Sequence, residues 1–390
     1  MMRLLAPILG VALTGLTLDH ACALASNGLG SGQAGDGRLC LLAGGAVAKT
    51  FVDTNFLGDK EIGSRADTAA AAEISNGLIR LRVHLPNAQD RFYRGTRFDW
   101  SGIIEDLEYA GHNYYPRWFQ RTDDGVLDFI YAGADIVAGP CTAVTGPVEE
   151  FSSNGTGLGF TEAKAGETFV KIGVGVLRKP DDAKYSPYRL YPIQDGGKWT
   201  VLRKPDSVEF NHELADPSTG YAYVYRKTVS VASGKPQMVI DHSLRNTGKR
   251  PIQTSVYNHN FLYLDRQPPS PDFVLTFPFG VRATPSAASN LAEIQGNQVT
   301  FSRTLAGEDS VYLPIQGFGA EAKDYDIRVE NRRLGAGLRI TADRPLARLA
   351  LWSIRASLSI EPFISMNIEP GTDFTWRITY DYFTVPKAAN

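Results

Sequence analysis

Cysteine, excess charge of either sign and helical periodicity are all scarce in this chain of 390 residues. Its three cysteines form no CxxC pattern, and no HExxH motif or histidine cluster occurs, so zinc chemistry has no support. The 40 basic and 42 acidic side chains lack the basic excess of a nucleic-acid binder. There is no glycine-rich phosphate loop and no fixed-period repeat, which disfavours nucleotide-binding α/β folds, propellers and solenoids. We therefore expect no metal, no organic cofactor and no nucleic-acid partner.

Long apolar runs are also missing, except at the start of the chain. Residues 4–18 are largely apolar, follow Arg3, and are too short to span a bilayer. Residues 23–25, Ala-Leu-Ala, have the small-x-small pattern of a signal peptidase site, which makes Ser26 the expected new N-terminus. We expect residues 1–25 to be a signal peptide, and the mature protein to be soluble and periplasmic or extracellular.

Removal of this leader would leave two cysteines, Cys40 and Cys141. An exported chain could join them in one disulfide that closes a long loop. Two buried free thiols are the alternative, because neither residue has metal-type spacing. The sequence leaves both states open.

The chain is rich in residues that build strands and turns. It has 38 glycines, 22 prolines, 17 tyrosines and 19 phenylalanines. From about residue 74, apolar and polar residues alternate as expected for half-buried strands. The clearest runs are 79–85, 169–177, 221–231, 238–244, 256–264, 346–354 and 374–383, and only 66–74 has a briefly helical pattern. We predict one large antiparallel β-sandwich domain over residues 71–390, with residues 26–70 as an N-terminal extension that packs on it.

The first candidate site lies in the run that begins at residue 256. If 255–265 is a strand, then Tyr257, His259, Phe261 and Tyr263 share one face. A histidine among aromatic rings suits a sugar cleft, because rings stack on the apolar face of a pyranose while the imidazole exchanges a proton near neutral pH. The alternative is a core histidine among core aromatic residues, which the pattern alone favours.

The second candidate is Glu361, in the segment 359–367. Alternation places Glu361 on a mostly polar face, while Ile360 and Ile364 point to the core. A carboxylate with apolar neighbours tends to have a raised pKa, which suits a general base. A surface glutamate at a strand end is the alternative interpretation.

These two segments resemble those of a known family. Residues 257–262, Tyr-Asn-His-Asn-Phe-Leu, are similar to the Asn-His-x-x-Phe segment of aldose 1-epimerases (galactose mutarotases), with the phenylalanine one residue early. Residues 359–373, with Glu-Pro followed by Glu-Pro-Gly, resemble that family's C-terminal glutamate strand and the turn after it. The resemblance implies a mutarotase-like β-supersandwich whose concave face binds a carbohydrate. It implies His259 as the acid on the ring oxygen and Glu361 as the base on the anomeric hydroxyl.

Other residues could take part in sugar binding. The earlier histidine segment of the family has no match here, and the sequence has Arg97, Asp99 and Ser101 in its place, which would share a strand face and hold sugar hydroxyls. A structural Arg–Asp pair is the alternative. His112 either replaces the missing histidine or caps a strand end.

Two further candidates have weaker support. His212 lies in a polar run, and Lys171 lies on an otherwise apolar strand. An inward-facing lysine is costly unless it is paired, and a lowered lysine pKa would favour lyase chemistry on a uronate. A surface lysine is the alternative.

Three functions remain open from the sequence. The first is a sugar epimerase, an isomerase that uses His259 and Glu361. The second is a polysaccharide lyase or hydrolase, since export suits a polymeric substrate. The third is a non-catalytic carbohydrate-binding protein. Fold analogy alone does not decide between them, and the oligomeric state stays open.

Overall fold

The computed structural model describes residues 70–86, 92–283 and 290–386. The predicted signal peptide, residues 26–69 and Cys40 lie outside the described residues. In the described ranges nearly every regular element is a β-strand, apart from two short 3-10 turns at Leu264–Arg266 and Ala322–Asp324. No helix in these ranges is long and apolar enough to cross a membrane.

The strands follow one another closely along the chain. The first eleven are β1 (Ala71–Ser75), β2 (Ile79–His84), β3 (Ile103–Tyr109), β4 (His112–Asn113), β5 (Arg121–Thr122), β6 (Phe129–Ala132), β7 (Asp135–Ala138), β8 (Val148–Ser152), β9 (Thr168–Lys171), β10 (Gly175–Arg178) and β11 (Ile193–Asp195). The next five are β12 (Lys198–Lys204), β13 (Ser207–Asp216), β14 (Tyr221–Val231), β15 (Gln237–Asn246) and β16 (Ile252–His259). The last nine are β17 (Phe273–Thr276), β18 (Ala292–Gln295), β19 (Gln298–Phe301), β20 (Ser310–Ile315), β21 (Asp326–Asn331), β22 (Ala336–Ala342), β23 (Arg348–Ile354), β24 (Ser357–Ile368) and β25 (Asp373–Thr384).

Two large antiparallel sheets dominate the fold. One has ten strands in the order β12-β13-β14-β15-β25-β22-β21-β17-β19-β18, and the other has five in the order β20-β23-β24-β16-β8. Three smaller sheets have the orders β1-β2-β3-β4, β11-β10-β9 and β5-β7-β6. Among the described strands the pairing of β5 with β7 is parallel, and the named pairings of the two large sheets are all antiparallel.

The two large sheets pack face to face. Phe151 on β8 contacts Tyr225 on β14 and Trp376 on β25, with ring centroids 5.3 Å and 6.2 Å apart. In β14 every second residue from Tyr221 to Val231 is buried, which is the alternation that the sequence shows. The prediction of an all-β, antiparallel sandwich is therefore confirmed.

A charged group is also buried between these sheets. Lys227, in the middle of β14, donates hydrogen bonds to Glu149 on β8 and, at 2.7 Å, to the carbonyl oxygen of Ser101. Glu149 also accepts hydrogen bonds from His242 and Asn258, each 2.9 Å long. Burial alone would raise the pKa of Glu149, but Lys227 and His242 lower it to about 2. Glu149 is therefore a buried carboxylate whose partners come from both sheets.

Two predicted elements differ in the structure. Residues Ala71–Ser75 form a strand paired with β2, although they overlap the run 66–74 that has a briefly helical pattern in the sequence. Residues 66–69 of that run lie outside the described residues. The run 169–177, predicted as one strand, is a hairpin of β9 and β10. Gly173 turns the chain with φ at +76°, and a side chain there would collide with Asp99. The alternation of residue types continues through Gly173 in the sequence, so this pattern does not indicate the turn.

Strand β16 is shorter than its predicted run, 256–264. It ends at His259, and Phe261 adopts a φ of +41°. Gly146 lies so close to this end that an added Cβ would be 2.5 Å from the carbonyl oxygen of His259. The loop around Gly146 therefore packs directly on the end of β16, and glycine is needed there.

Cys141 is fully buried, with its Sγ 3.8 Å from the Thr96 hydroxyl oxygen. Burial raises the pKa of this thiol, which makes it a weak nucleophile. Because Cys40 lies outside the described residues, the disulfide and the two free thiols both stay open as predictions.

Candidate active site

His259 and Glu361 lie side by side on the outer face of the five-stranded sheet. Tyr257 on β16 is directly opposite Phe363 on β24, where their register ends. His259 and Glu361 each lie two residues beyond this pair, on the same faces of their chains as Tyr257 and Phe363. The His259 Nε2 atom is 3.3 Å from the Glu361 Oε1 atom. Ile360 points the other way, into the core between the sheets. The two residues predicted as acid and base are thus in contact.

A second polar group lies beside this pair. Arg97 donates hydrogen bonds of 2.7 Å to Glu150 and 3.0 Å to the Tyr257 hydroxyl, which itself donates to Glu150 at 2.6 Å. Arg97, Glu150 and Tyr257 are 9%, 7% and 6% exposed, whereas Glu149 and Lys227 are fully buried. The group is therefore buried almost as completely as the charges between the sheets, and only a small part of its surface is exposed.

Aromatic rings surround the imidazole of His259. Phe261 stacks on it, with ring centroids 3.6 Å apart, because the turn after β16 folds Phe261 back over the strand end. Trp352 on β23 and Phe98 meet it edge-on, at 5.2 Å and 5.8 Å. Flat apolar faces next to polar groups are suited to a pyranose ring, which has an apolar C–H face and a rim of hydroxyls.

Burial sets the protonation of the central pair. It raises the pKa of Glu361 to about 8, against the opposing charge of Arg97. Burial and then Arg97 lower the pKa of His259 well below its ordinary value. At neutral pH Glu361 is therefore an uncharged carboxylic acid beside a neutral imidazole, and the acidic proton of the pair is on Glu361. The other ring nitrogen of His259, Nδ1, has no hydrogen-bond partner within the described ranges.

The pKa of Glu150, the other carboxylate of the site, is shifted in the opposite direction to that of Glu361. Burial alone would raise the pKa of Glu150, but Arg97, Lys171 and the Tyr257 hydroxyl lower it below the ordinary value. Glu150 is thus a carboxylate at neutral pH, while Glu361 keeps its proton.

Further aromatic and charged side chains lie beside this group. Arg348 at the start of β23 lies over the Phe363 ring, with its Cζ atom 3.6 Å from the centroid. Tyr188 faces the guanidinium of Arg97 at 5.1 Å. Tyr312 on β20 is 40% exposed. Large rings and a cation therefore lie near the central pair, and Tyr312 is the exposed one of these rings.

Asp99, predicted to bind substrate beside Arg97, lies elsewhere. Residues 92–102 do not form a strand, so the predicted shared face of Arg97, Asp99 and Ser101 does not exist. Asp99 is 1% exposed and accepts a 3.0 Å hydrogen bond from Tyr225, in the space between the large sheets. Burial raises its pKa to about 7, against the charge of Lys227.

His212, also predicted to bind substrate, is inside the ten-stranded sheet region. It is fully buried, stacks on Trp199 at 4.0 Å, and hydrogen-bonds to the Gly196 carbonyl at 3.0 Å. Burial lowers its pKa to about 4. These contacts hold the β12–β13 region together and do not involve the central pair.

His112 and Lys171 are likewise held by other contacts. His112 Nδ1 lies 2.6 Å from one carboxylate oxygen of Asp265. The other oxygen of Asp265 accepts a hydrogen bond from the backbone amide of Asn113. Lys171 is buried and donates a 2.6 Å hydrogen bond to the Phe151 carbonyl, with Glu150 3.5 Å away. Burial lowers the pKa of Lys171. No group of three His, Cys, Asp or Glu side chains in the described part of the chain is arranged to hold a metal ion.

Sequence reasoning missed Glu150, Arg348 and Trp352. A signal for Glu150 was present, because Glu149 and Glu150 are adjacent in one strand and must point to opposite faces. Arg348 and Trp352 reach the site through the pairing of β23 with β24, and strand register is not visible in a single sequence.

Comparisons with known proteins give structural neighbours only. No family model and no curated protein matches the sequence. A GalM/aldose epimerase homologue from C. elegans is 13% identical with a TM-score of 0.48, over 81% of this chain and 99% of the other. A galactose mutarotase related enzyme from Lactobacillus acidophilus is 11% identical with a TM-score of 0.46, over 82% and 100%. A galactose mutarotase-like protein from Lactobacillus casei ATCC 334 is 10% identical with a TM-score of 0.44, over 80% and 100%.

These neighbours bear the names of the family that residues 257–262 and 359–373 resemble. At TM-scores below 0.5 the similarity does not assign a family, a substrate or a catalytic residue to this chain.

Proposed function

We propose that this protein is a carbohydrate-active enzyme that interconverts the anomers of a sugar, as an aldose 1-epimerase does. The observation that supports it most is the contact of His259 with Glu361, a buried acid and an imidazole 3.3 Å apart. Anomerisation needs one proton donor and one acceptor at two oxygens bonded to the same carbon, so an adjacent pair suits it. The proposed reaction uses no metal and no organic cofactor.

The proton transfers balance within the pair. The base takes the proton of the anomeric O1 hydroxyl, and the acid gives its proton to the ring oxygen O5. The O1 electron pair forms the C1=O1 double bond while the C1–O5 bond breaks, which gives an open-chain aldehyde. After rotation about C1–C2, the O5 hydroxyl attacks the other face of C1, and both proton transfers reverse. No co-reactant is consumed.

The resting protonation of the pair favours Glu361 as the donor and His259 as the acceptor, because burial raises the pKa of Glu361 and lowers that of His259. The family resemblance implies the reverse roles. Both arrangements hold the same single acidic proton, which only has to move between the two groups. Each group also acts once as acid and once as base in a full cycle, so the proposal requires the pair and not a fixed role for either member.

The substrate would be held by the groups that border the pair. We propose that Arg97 and Tyr257 bind hydroxyls and that Phe261 and Trp352 provide ring faces. Arg97 is fixed for this by its 2.7 Å hydrogen bond to Glu150. Asp99, His112 and His212 are engaged in the separate contacts described above and have no part in this proposal.

The pH dependence tests this function. We expect kcat/KM for the anomerisation of a hexose to be greatest near neutral pH. The rate should fall above about pH 8, where the pair loses its proton from Glu361, and it should fall in acid, where His259 gains a second proton. Polarimetry of freshly dissolved α-anomer at a series of pH values measures this profile.

Spontaneous mutarotation must be subtracted at each pH, because acid and hydroxide catalyse it without enzyme. A protein-dependent rate that is flat from pH 5 to pH 10 would contradict the shared-proton pair. Absence of any protein-dependent rate with glucose, galactose and their acidic derivatives would contradict the epimerase function itself.

A glycoside hydrolase is the second candidate, because of the two carboxyl groups. Glu361 keeps its proton at neutral pH and Glu150 does not, which is the division of roles that glycosidases use. Incubation with nitrophenyl glycosides and with polysaccharides, followed by a reducing-sugar assay, separates the two functions. Hydrolysis that is lost in both Glu150→Gln and Glu361→Gln would favour the hydrolase.

We also propose that the protein acts after export, since its first 25 residues have the pattern of a signal peptide. We expect the mature protein recovered from its native host to begin near Ser26, and N-terminal sequencing measures this directly. Intact Met1 on protein from a periplasmic or culture-medium fraction would contradict the cleavage.

A further inference from the structure

Arg348 is an arginine beside the central pair without an anionic partner. Its guanidinium lies 3.6 Å over the Phe363 ring, and in the described ranges it makes no ion pair and no hydrogen bond. The other arginines stacked on rings in these ranges each have an ion pair or hydrogen bonds, and Arg355 over Tyr131 donates to backbone carbonyl oxygens. Arg328 over Phe383 pairs with Glu330, for example.

The neighbouring charges do not neutralise Arg348. Glu150 is engaged by Arg97, at 2.7 Å. Arg348 is close enough to Glu361 for its charge to lower the pKa of that carboxyl group. Burial nevertheless raises the pKa of Glu361 to about 8, so Glu361 is an uncharged acid at neutral pH. A positive charge therefore remains on the exposed Arg348, at the start of β23 and beside the central pair.

The sheet register fixes where this charge lies relative to the central pair. Arg348 is directly opposite Phe363, and Phe363 is opposite Tyr257, so the three form one row across the sheet. His259 and Glu361 form the next row on the same face, about 7 Å along the strands, which is two residues of rise. A ligand atom bound by Arg348 would thus be one sugar ring away from the proton-transfer pair.

A hexuronate fits this spacing. Its carboxylate is attached to C5, and C5 is bonded to the ring oxygen O5 that takes part in anomerisation. With O1 and O5 at the His259–Glu361 pair, the carboxylate points toward the next row. The planar guanidinium of Arg348, covered on one face by Phe363, has its N–H edge free for a two-point contact with a carboxylate.

We propose that the substrate is an acidic sugar, a hexuronate or a saccharide that ends in one, and that Arg348 binds its carboxylate. A carboxylate carries one negative charge, which one unpaired guanidinium balances. A sugar phosphate would bring a charge near −2 to a single free cation. The inference rests on the proposed function, because it places the reacting end of the sugar at the central pair.

Titration with free sugars tests the inference. D-galacturonate and D-glucuronate are compared with D-galactose, D-glucose and their 6-phosphates, by isothermal titration calorimetry for affinity and polarimetry for anomerisation. We expect each uronate to bind at least about tenfold more tightly than its parent hexose. Arg348→Gln should lower uronate affinity by about 10- to 100-fold, the effect of losing hydrogen bonds between charged groups. Arg348→Lys should recover part of it.

Arg328→Gln is the matched control, since it removes another arginine stacked on a phenylalanine, on the ten-stranded sheet. It should keep the preference for uronates over hexoses. Added salt should weaken uronate binding to the unmodified protein more than to Arg348→Gln.

The outcomes separate this inference from the proposed function. Equal affinity for hexoses and uronates, or a preference for the 6-phosphates, overturns the inference even if anomerisation is observed. Uronate binding that depends on Arg348 without anomerisation supports the inference and contradicts the epimerase. If no sugar binds, both are overturned.

Discussion

Replacing Glu361 by glutamine is expected to lower kcat for anomerisation by about 10²–10⁴-fold, with little change in sugar affinity. The amide has nearly the shape of the carboxylic acid, but it has no acidic proton to give to a ring oxygen. Binding depends on other groups, chiefly Arg97, Tyr257 and the rings beside His259. Polarimetric initial rates give kcat and KM, and calorimetric titration gives the affinity.

The same argument predicts that the effects of His259→Ala and Glu361→Gln on turnover do not add. His259→Ala and Glu361→Gln should each remove most of the turnover, and the double variant should be about as slow as either single one, because one proton is handled by both groups. Additive losses would indicate that the two residues act in separate steps.

A second buried His–Glu pair supplies the control. His84 Nε2 lies 2.8 Å from Glu105, but Arg117 also donates hydrogen bonds of 3.0 Å and 2.8 Å to this carboxylate. Burial alone would raise the pKa of Glu105, and the hydrogen bond from His84 and the charge of Arg117 lower it. Glu105→Gln is therefore the same substitution in a pair that holds a carboxylate, and it should leave kcat unchanged.

Two results would end the catalytic assignment of the central pair. Normal turnover in Glu361→Gln would exclude the carboxyl as acid or base. The second result is that the unmodified protein binds sugar but has no turnover, and that both variants weaken sugar binding only modestly. The protein would then be a carbohydrate-binding protein without catalytic activity.

The contact of His259 with Glu361 could be anticipated from the sequence only in part. Alternation places each residue on a definite strand face, since neighbours such as Ile360 must be buried. Whether two such faces meet depends on register, and a slip of one residue would turn Glu361 to the other side of the sheet. The family resemblance supplied this pairing, and the strand pattern did not.

The predicted shared strand face of Arg97 and Asp99 does not exist, for a physical reason. Arg97 and Asp99 are two residues apart, and in a strand they would share a face. Their segment is irregular, so Arg97 turns to Glu150 while Asp99 turns to Tyr225 between the sheets. Periodicity predicts directions only where backbone hydrogen bonds hold the chain extended.

The second large effect is expected on stability, at the ion pair between the sheets. Replacing Lys227 by methionine leaves Glu149 buried with His242 and Asn258 but without its ammonium partner. Removal of one member of a buried pair costs about 3–5 kcal/mol, because the remaining charge is uncompensated. Urea unfolding followed by tryptophan fluorescence gives the free energy of unfolding. The exposed pair of Lys323 with Glu321 provides the control, and Lys323→Met should change stability by less than about 1 kcal/mol.

The double variant Lys227→Met with Glu149→Gln shows whether the cost belongs to the charge or to the packing. If the unpaired carboxylate causes the loss, removing its charge should restore part of the stability, and the two single effects will not add. In Lys227→Met alone, Glu149 has no ammonium partner, so its pKa in the folded state should rise. Near pH 4 the folded variant then binds a proton on Glu149, which removes the buried charge. The loss of unfolding free energy should therefore be smaller near pH 4 than at pH 7. A loss that is equal at both pH values, and unchanged in the double variant, would assign the effect to the packing of the lysine side chain in the space between the two sheets.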